Sequence, residues 1–155
     1  MPDPRLTDLI NVAIEREEQA YAFYMGLYDK VEDTGVKEAL EWIAGEELKH
    51  KKFLVSYRDG DFDQDTLRIN EVVYYRMAEH QKQPDIEKSM KPEDVFLVAA
   101  HRELRSYNFY TEMARMHSEG DTHAMLLKIA NEELKHKEKM EYLYANTAFP
   151  QTSGG

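Results

Sequence analysis

The chain has 155 residues, enough for one domain with a real hydrophobic core, and its 30 acidic against 20 basic residues give a formal net charge of −10. That charge repels phosphate backbones and argues against a nucleic-acid partner. Cysteine is absent, which excludes disulfides, thiolate metal sites and a cysteine nucleophile within this sequence and fits a reducing compartment.

The N-terminal sequence and the hydropathy pattern predict a cytoplasmic protein with no membrane partner. The opening MPDPRLTDLI lacks a basic region followed by an apolar run, so we expect no signal peptide. No apolar stretch approaches the roughly 20 residues that are needed to span a bilayer.

Two helices are predicted in the first part of the chain. Apolar residues recur at helical spacing over residues 6–28 and again over 40–57. Asp3-Pro4 is expected to begin the first helix. Asp33-Thr34-Gly35 is expected to form a turn, and the second helix is expected to end near Asp59-Gly60.

Two further helices are predicted after a long connection. Pro92, followed by two acidic residues, marks the start of a third helix, and residues 120–122 separate it from a fourth. The connection at about 60–91 is too long for a simple turn, and residues 70–81 within it could form a short helix. The last ten residues, 146–155, have the composition of a flexible tail.

This order of elements predicts an all-α fold over residues 1–145. Two helical hairpins joined by a long crossover are the arrangement of a ferritin-like four-helix bundle, because the crossover lets the second and third helices run parallel.

The sequence EELKHK occurs at residues 46–51 and again at 132–137, an offset of 86 positions. The same offset aligns Glu17 with Glu103 and the segment AYAFY with SYNFY, which ends in Tyr110. One offset therefore aligns both helix pairs, and the chain is interpreted as a duplicated helical hairpin.

The repeated polar residues continue the apolar faces of the helices. They fall in phase with their apolar neighbours near the middle of each helix, and they are Glu17, Glu47, His50, Glu103, Glu133 and His136. Burying even one ionised carboxylate without compensation costs several kcal/mol. Four of them require a positive partner that two histidines cannot supply, whereas two divalent cations would balance four negative charges.

The spacing of these residues suits metal binding. Glu-x-x-His brings a carboxylate and an imidazole to one helix face about one turn apart. One Glu from each of two helices and Glu-x-x-His from each of the other two is the ligand set of di-iron and di-manganese carboxylate bundles. Oxygen and imidazole ligands suit iron and manganese, whereas zinc usually takes fewer ligands.

The motifs AIEREEQAYAFY (13–24), GEELKH (45–50), AAHRELRSYNFY (99–110) and NEELKH (131–136) resemble the rubrerythrin branch of the ferritin-like superfamily. The resemblance covers all four helices and the length of the crossover. It implies two metal ions bridged by Glu47 and Glu133, with Glu17 and His50 completing one position and Glu103 and His136 the other.

The resemblance also implies roles for two tyrosines and exposes two departures. Tyr24 and Tyr110 would lie beside the cluster and hydrogen-bond ligand carboxylates.

Peroxide-reducing rubrerythrins carry an additional ligand one turn beyond the third-helix Glu, where this chain has Ser106, and this weighs against peroxidase activity of that type. They also usually carry a cysteine-ligated rubredoxin iron site, which a chain without cysteine cannot build, so an external electron-donor protein is expected.

The function expected from these features is that of a non-haem di-iron oxidoreductase that reacts with dioxygen or hydrogen peroxide, as a ferroxidase or peroxidase in oxidative-stress defence. The expected cofactor is two iron ions, with manganese or a mixed manganese–iron pair as alternatives. An iron-storage protein and a bundle holding a redox-silent metal ion are the competing classes. By analogy with similar bundles, a homodimer is expected.

Overall fold

The computed structural model describes residues 4–60, 83–84, 91–117 and 120–148. Within these ranges it contains four α-helices and no strand: α1 (Pro4–Lys30), α2 (Thr34–Arg58), α3 (Pro92–Met116) and α4 (Gly120–Ala148). The chain divides into two compact units, of which the first contains α1 and α2 and the second contains α3 and α4. Each unit is therefore built on one helical hairpin.

The turn of the first hairpin is shorter than the sequence suggests. Helix α2 already begins at Thr34, because the Asp33 side chain accepts a hydrogen bond of 3.0 Å from the backbone N–H of Val36 and caps the helix. Lys37, one turn into α2, donates a hydrogen bond of 2.6 Å to the carbonyl oxygen of Tyr28 and lies 4.3 Å from the centre of its ring. The two helices are thus tied together at the point where the chain reverses.

The second hairpin begins at Pro92, where the fixed φ of proline suits the first helical turn and Glu93 and Asp94 face the positive end of the helix dipole. Helix α4 starts at Gly120, whose φ of 90° lies in the left-handed region that favours glycine. The Nδ1 atom of His123 lies 2.7 Å from the carbonyl oxygen of Ala114 and 2.8 Å from that of His117. This contact links the start of α4 to the end of α3.

Several sequence predictions fall outside the described residues. These are the capping role of Asp3, the short helix at 70–81 and all of the crossover except its two ends and residues 83–84. At the C-terminus, α4 continues to Ala148, three residues into the predicted tail, and residues 149–155 lie outside the described ranges.

The two hairpins differ in how much of their surface is buried. In α3, residues 95–100 are all buried, although six consecutive residues point around the whole circumference of a helix. At the equivalent positions of α1, 86 residues earlier, Asn11 and Val12 are exposed. Residues 95–100 of α3 are therefore buried around the whole helix, whereas the equivalent part of α1 keeps one exposed face. None of the four described helices combines the length and apolarity that a membrane crossing requires.

Candidate metal centre

The first hairpin brings three of the predicted ligands together. Glu17 lies on α1, Glu47 and His50 lie on α2, and all three side chains are buried. One ligand atom of each lies within 4.8 Å of the other two. The His50 Nδ1 atom is 3.7 Å from Glu17 Oε1. We call these residues the first triad.

The second hairpin repeats the arrangement with the residues 86 positions later. Glu103 lies on α3, Glu133 and His136 lie on α4, and all three are buried. Their ligand atoms also lie within 4.8 Å of one another. The His136 Nδ1 atom is 3.8 Å from Glu103 Oε2 and 3.6 Å from Glu133 Oε1. These residues form the second triad.

Helical spacing explains why each triad converges. In both hairpins the Glu-x-x-His pair places its two side chains about one turn apart on the same helix face. The facing helix then contributes its carboxylate from one residue in the middle of an apolar face. The sequence spacing determines the position of the Glu-x-x-His pair, and the packing of the two helices in each hairpin brings the third ligand to it.

The distances within the triads suit ligands of a shared metal ion. Separations of 3.6–3.8 Å between nitrogen and carboxylate oxygen are too long for hydrogen bonds. Two ligands each about 2.1 Å from the same ion, with roughly 120° between them, would be about 3.6–3.7 Å apart. The residues of both triads therefore fit an ion bound among them.

The charges of the triads lead to the same conclusion. Each triad contains two carboxylates and one imidazole, and each of these residues is at most 5% exposed. Buried carboxylates this close together repel one another and have lost much of their hydration. A divalent cation in each triad would offset both costs, so a total of two cations matches the four buried acids.

The two predicted auxiliary tyrosines lie in the interior of their units. Tyr24 is 0% and Tyr110 1% exposed, and each ring packs edge-on against the preceding phenylalanine, with ring centres 5.5 Å and 5.2 Å apart respectively. Tyr21, which shares the predicted apolar face, is 38% exposed. Tyr24 follows Glu17 by seven residues, nearly two full turns, and therefore points with it more closely than Tyr21 does. A role of these tyrosines beside the metal ligands stays a prediction.

Sequence analysis missed three buried charged residues in the second hairpin. Lys137 and Glu141 are completely buried with Lys137 Nζ 2.9 Å from Glu141 Oε1, and Glu138 Oε1 lies 3.7 Å from the same ammonium. Glu133, Lys137 and Glu141 follow one another at intervals of four along α4, which places them on one side of the helix but does not show that this side is buried. The last lysine of the repeated hexamer is partly exposed as Lys51 in the first copy and completely buried as Lys137 in the second.

Comparison with known proteins identifies the family. The model of the rubrerythrin family matches residues 8–144, most of the chain. The comparisons with curated proteins and with solved structures each gave no significant match. The fold predicted from the sequence, an all-α ferritin-like four-helix bundle, is confirmed by the four described helices and this match. The buried Glu and His side chains fit a site for two metal ions. On the evidence of its helices, its buried carboxylates and this match, the chain belongs to the rubrerythrin family.

Proposed function

We propose that this protein is a non-haem di-iron oxidoreductase that reacts with dioxygen or hydrogen peroxide. The observation that carries the proposal is the burial of two carboxylates and one imidazole within each hairpin, at distances that fit ligands of an ion. Membership of the rubrerythrin family supports the same proposed function.

In the proposed centre the six triad residues would hold two iron ions. Glu17, Glu47 and His50 would supply ligands to one ion, and Glu103, Glu133 and His136 would supply ligands to the other. Two ferrous ions, if bound there, would supply two electrons, which together with two protons reduce hydrogen peroxide to two molecules of water. Two manganese ions, or one of each metal, remain the alternative occupants because the donor atoms are oxygen and imidazole nitrogen.

The protein's own residues prepare the site in two ways. The four carboxylates supply the negative charge that retains two divalent cations, and the buried faces of the helices keep bulk water from the ligands.

The chain contains no cysteine, so it lacks the ligands for a rubredoxin-type iron site. The electrons that restore the ferrous state would come from a separate donor protein. A homodimer is part of the same proposal.

The experiment that tests this function adds two equivalents of ferrous iron to the apo-protein under anaerobic conditions and then adds air or peroxide. We expect a near-ultraviolet absorbance increase from ferric iron, faster than that of the same iron in buffer alone. The variant carrying both His50→Ala and His136→Ala is the control and should behave like buffer. If wild-type protein oxidises iron no faster than buffer with either oxidant, the redox function is wrong.

Two further measurements separate the alternatives. Iron storage requires a cage-like assembly and loading far above two ions per chain, so a monomer or dimer in solution with two bound ions excludes it. Elemental analysis of protein purified from its native host identifies the metal. Zinc in that preparation, together with no reaction towards peroxide, would favour a redox-silent metal-binding bundle.

A further inference from the structure

Helix α4 buries three charged residues in addition to the ligands, namely Lys137, Glu141 and Glu138, whose Oε1 lies 3.7 Å from Lys137 Nζ. Lys137 and Glu141 are both 0% exposed and lie four residues apart, so they project from the same side of the helix with 2.9 Å between Nζ and Oε1. Lysine is almost never completely buried unless it is paired. Replacing a buried ion pair by apolar residues is often neutral or stabilising, so stability alone does not account for this one.

The first hairpin has no such pair at the equivalent position. Lys51 and Val55 occupy the positions 86 residues before Lys137 and Glu141. The Lys51 side chain is 36% exposed, and its Nζ lies 3.2 Å from the carboxylate of Glu18, which is 50% exposed. That pair lies where water and salt screen it.

The buried pair of the second hairpin lies next to the second triad in the chain. Lys137 directly follows His136, and Glu133, Lys137 and Glu141 are spaced by four residues along α4. A charge in the protein interior acts on its neighbours about four times as strongly as the same charge in water, given effective dielectric constants of about 20 and 80. Glu133, a ligand of the second triad, and Lys137 lie four residues apart and therefore project from the same side of α4, whereas Lys51 of the first hairpin is partly exposed to water.

We propose that the buried charges of Lys137 and Glu141 tune the metal affinity of the second triad, an influence that the partly exposed Lys51 does not exert on the first. The inference rests on the proposed function to the extent that both triads bind metal. The carboxylate of Glu141 raises the affinity of the second triad for a cation, and the ammonium of Lys137 lowers it. Both are positioning residues, because they act on the ion through their charge and not as ligands.

The test is calorimetric titration of the full-length apo-protein with Mn²⁺. We expect two binding steps, one for each triad. The His50→Ala variant keeps the step of the second triad, and the His136→Ala variant keeps the other, which assigns each step to its hairpin.

Charge-neutralising variants then give the decisive result. Glu141→Gln should weaken the second-triad step by about tenfold, and Lys137→Gln should strengthen it by a similar factor. Lys51→Gln, the matched control in the first hairpin, should change either step by less than about twofold. A purely structural role would weaken binding in both Lys137→Gln and Glu141→Gln, so opposite signs identify an electrostatic one.

Folding of the variants is checked by circular dichroism. The double variant Lys137→Met/Glu141→Leu removes both charges together and keeps the carboxylate of Glu138, and its second-triad affinity should lie between those of the single variants. Shifts of the same sign in the two single variants, or no shift in either, would overturn the inference and leave the proposed function standing. No binding of Mn²⁺ to wild type, even after iron has been tried in its place, would overturn both.

Discussion

His50 Nδ1 lies 3.7 Å from Glu17 Oε1, and both side chains are buried although they belong to different helices. The same relationship recurs 86 residues later between His136 and Glu103, at 3.8 Å. A distance that is preserved in both copies of a duplicated hairpin, and is too long for a hydrogen bond, indicates two equivalent places for a metal ion. Four predictions follow from this symmetry and from the contacts that hold each hairpin together.

Removing one imidazole should remove one ion. We expect wild-type protein to retain two Mn²⁺ per chain after gel filtration, and the His50→Ala and His136→Ala variants to retain about one each, because each substitution takes the only nitrogen ligand from its triad. Elemental analysis gives the stoichiometry. His101→Ala, a substitution outside both triads, should keep two. Loss of both ions in either single variant would mean that the positions cannot be filled separately.

Neutralising a buried carboxylate should have opposite effects on the apo- and metal-bound forms. In the apo-protein, Glu133→Gln should increase the free energy of unfolding by about 1 kcal/mol, since it relieves desolvation and the repulsion from the nearby carboxylate of Glu103. This corresponds to about 2–4 °C in the melting temperature of a domain of this size. With Mn²⁺ present, the variant should gain less stability than wild type does, because ligand binding stabilises only a protein that binds.

The control for this prediction is the adjacent residue. Glu132 is half-buried, whereas Glu133 is completely buried, so Glu132→Gln should change neither the apo melting temperature nor the shift produced by metal by more than about 1 °C. A lower apo melting temperature for Glu133→Gln would show that the carboxylate stabilises the metal-free protein.

The buried tyrosines should affect the rate of iron oxidation if they lie beside the ligands. Tyr24→Phe and Tyr110→Phe should keep the metal stoichiometry and slow the oxidation of bound ferrous iron by about tenfold, the usual effect of removing a partner of a metal ligand. Stopped-flow absorbance measures the rate. Tyr21→Phe and Tyr107→Phe are the matched controls, since these residues are also related by the offset of 86 and are more exposed. Unchanged rates in all four variants would make Tyr24 and Tyr110 ordinary core aromatics.

The capping contact of α2 should contribute measurably to stability. Asp33→Ala removes the acceptor for the backbone N–H of Val36 and should lower the free energy of unfolding by about 1 kcal/mol. Denaturant unfolding of the apo-protein gives this value. Glu32→Ala, an exposed neighbour without a capping role, should change it by less than about 0.5 kcal/mol. Equal losses in the two variants would contradict the capping role of Asp33.

Much of the site could be predicted from the sequence because duplication and helical periodicity are local properties. The offset of 86 selects the two Glu-x-x-His motifs, and the phase of the apolar residues places them on inward faces. Both features can be read without knowing how the helices pack. The start of α2 shows where such reading fails: Thr34 and Gly35 have the composition of a turn, but the side-chain cap from Asp33 makes them helical.

The sequence by itself determined the four helices, the hairpin repeat and the six residues that combine acid, imidazole and apolar phase. Only the tertiary structure showed which further positions are buried. These are Lys137 with Glu141 in α4, and residues 95–100, which are buried around the whole circumference of α3. The physical reason is that periodicity reports the direction of a side chain around its own helix, whereas burial depends on what covers that helix. Lys51 and Lys137 end the same hexamer, yet one is partly exposed and the other is completely buried.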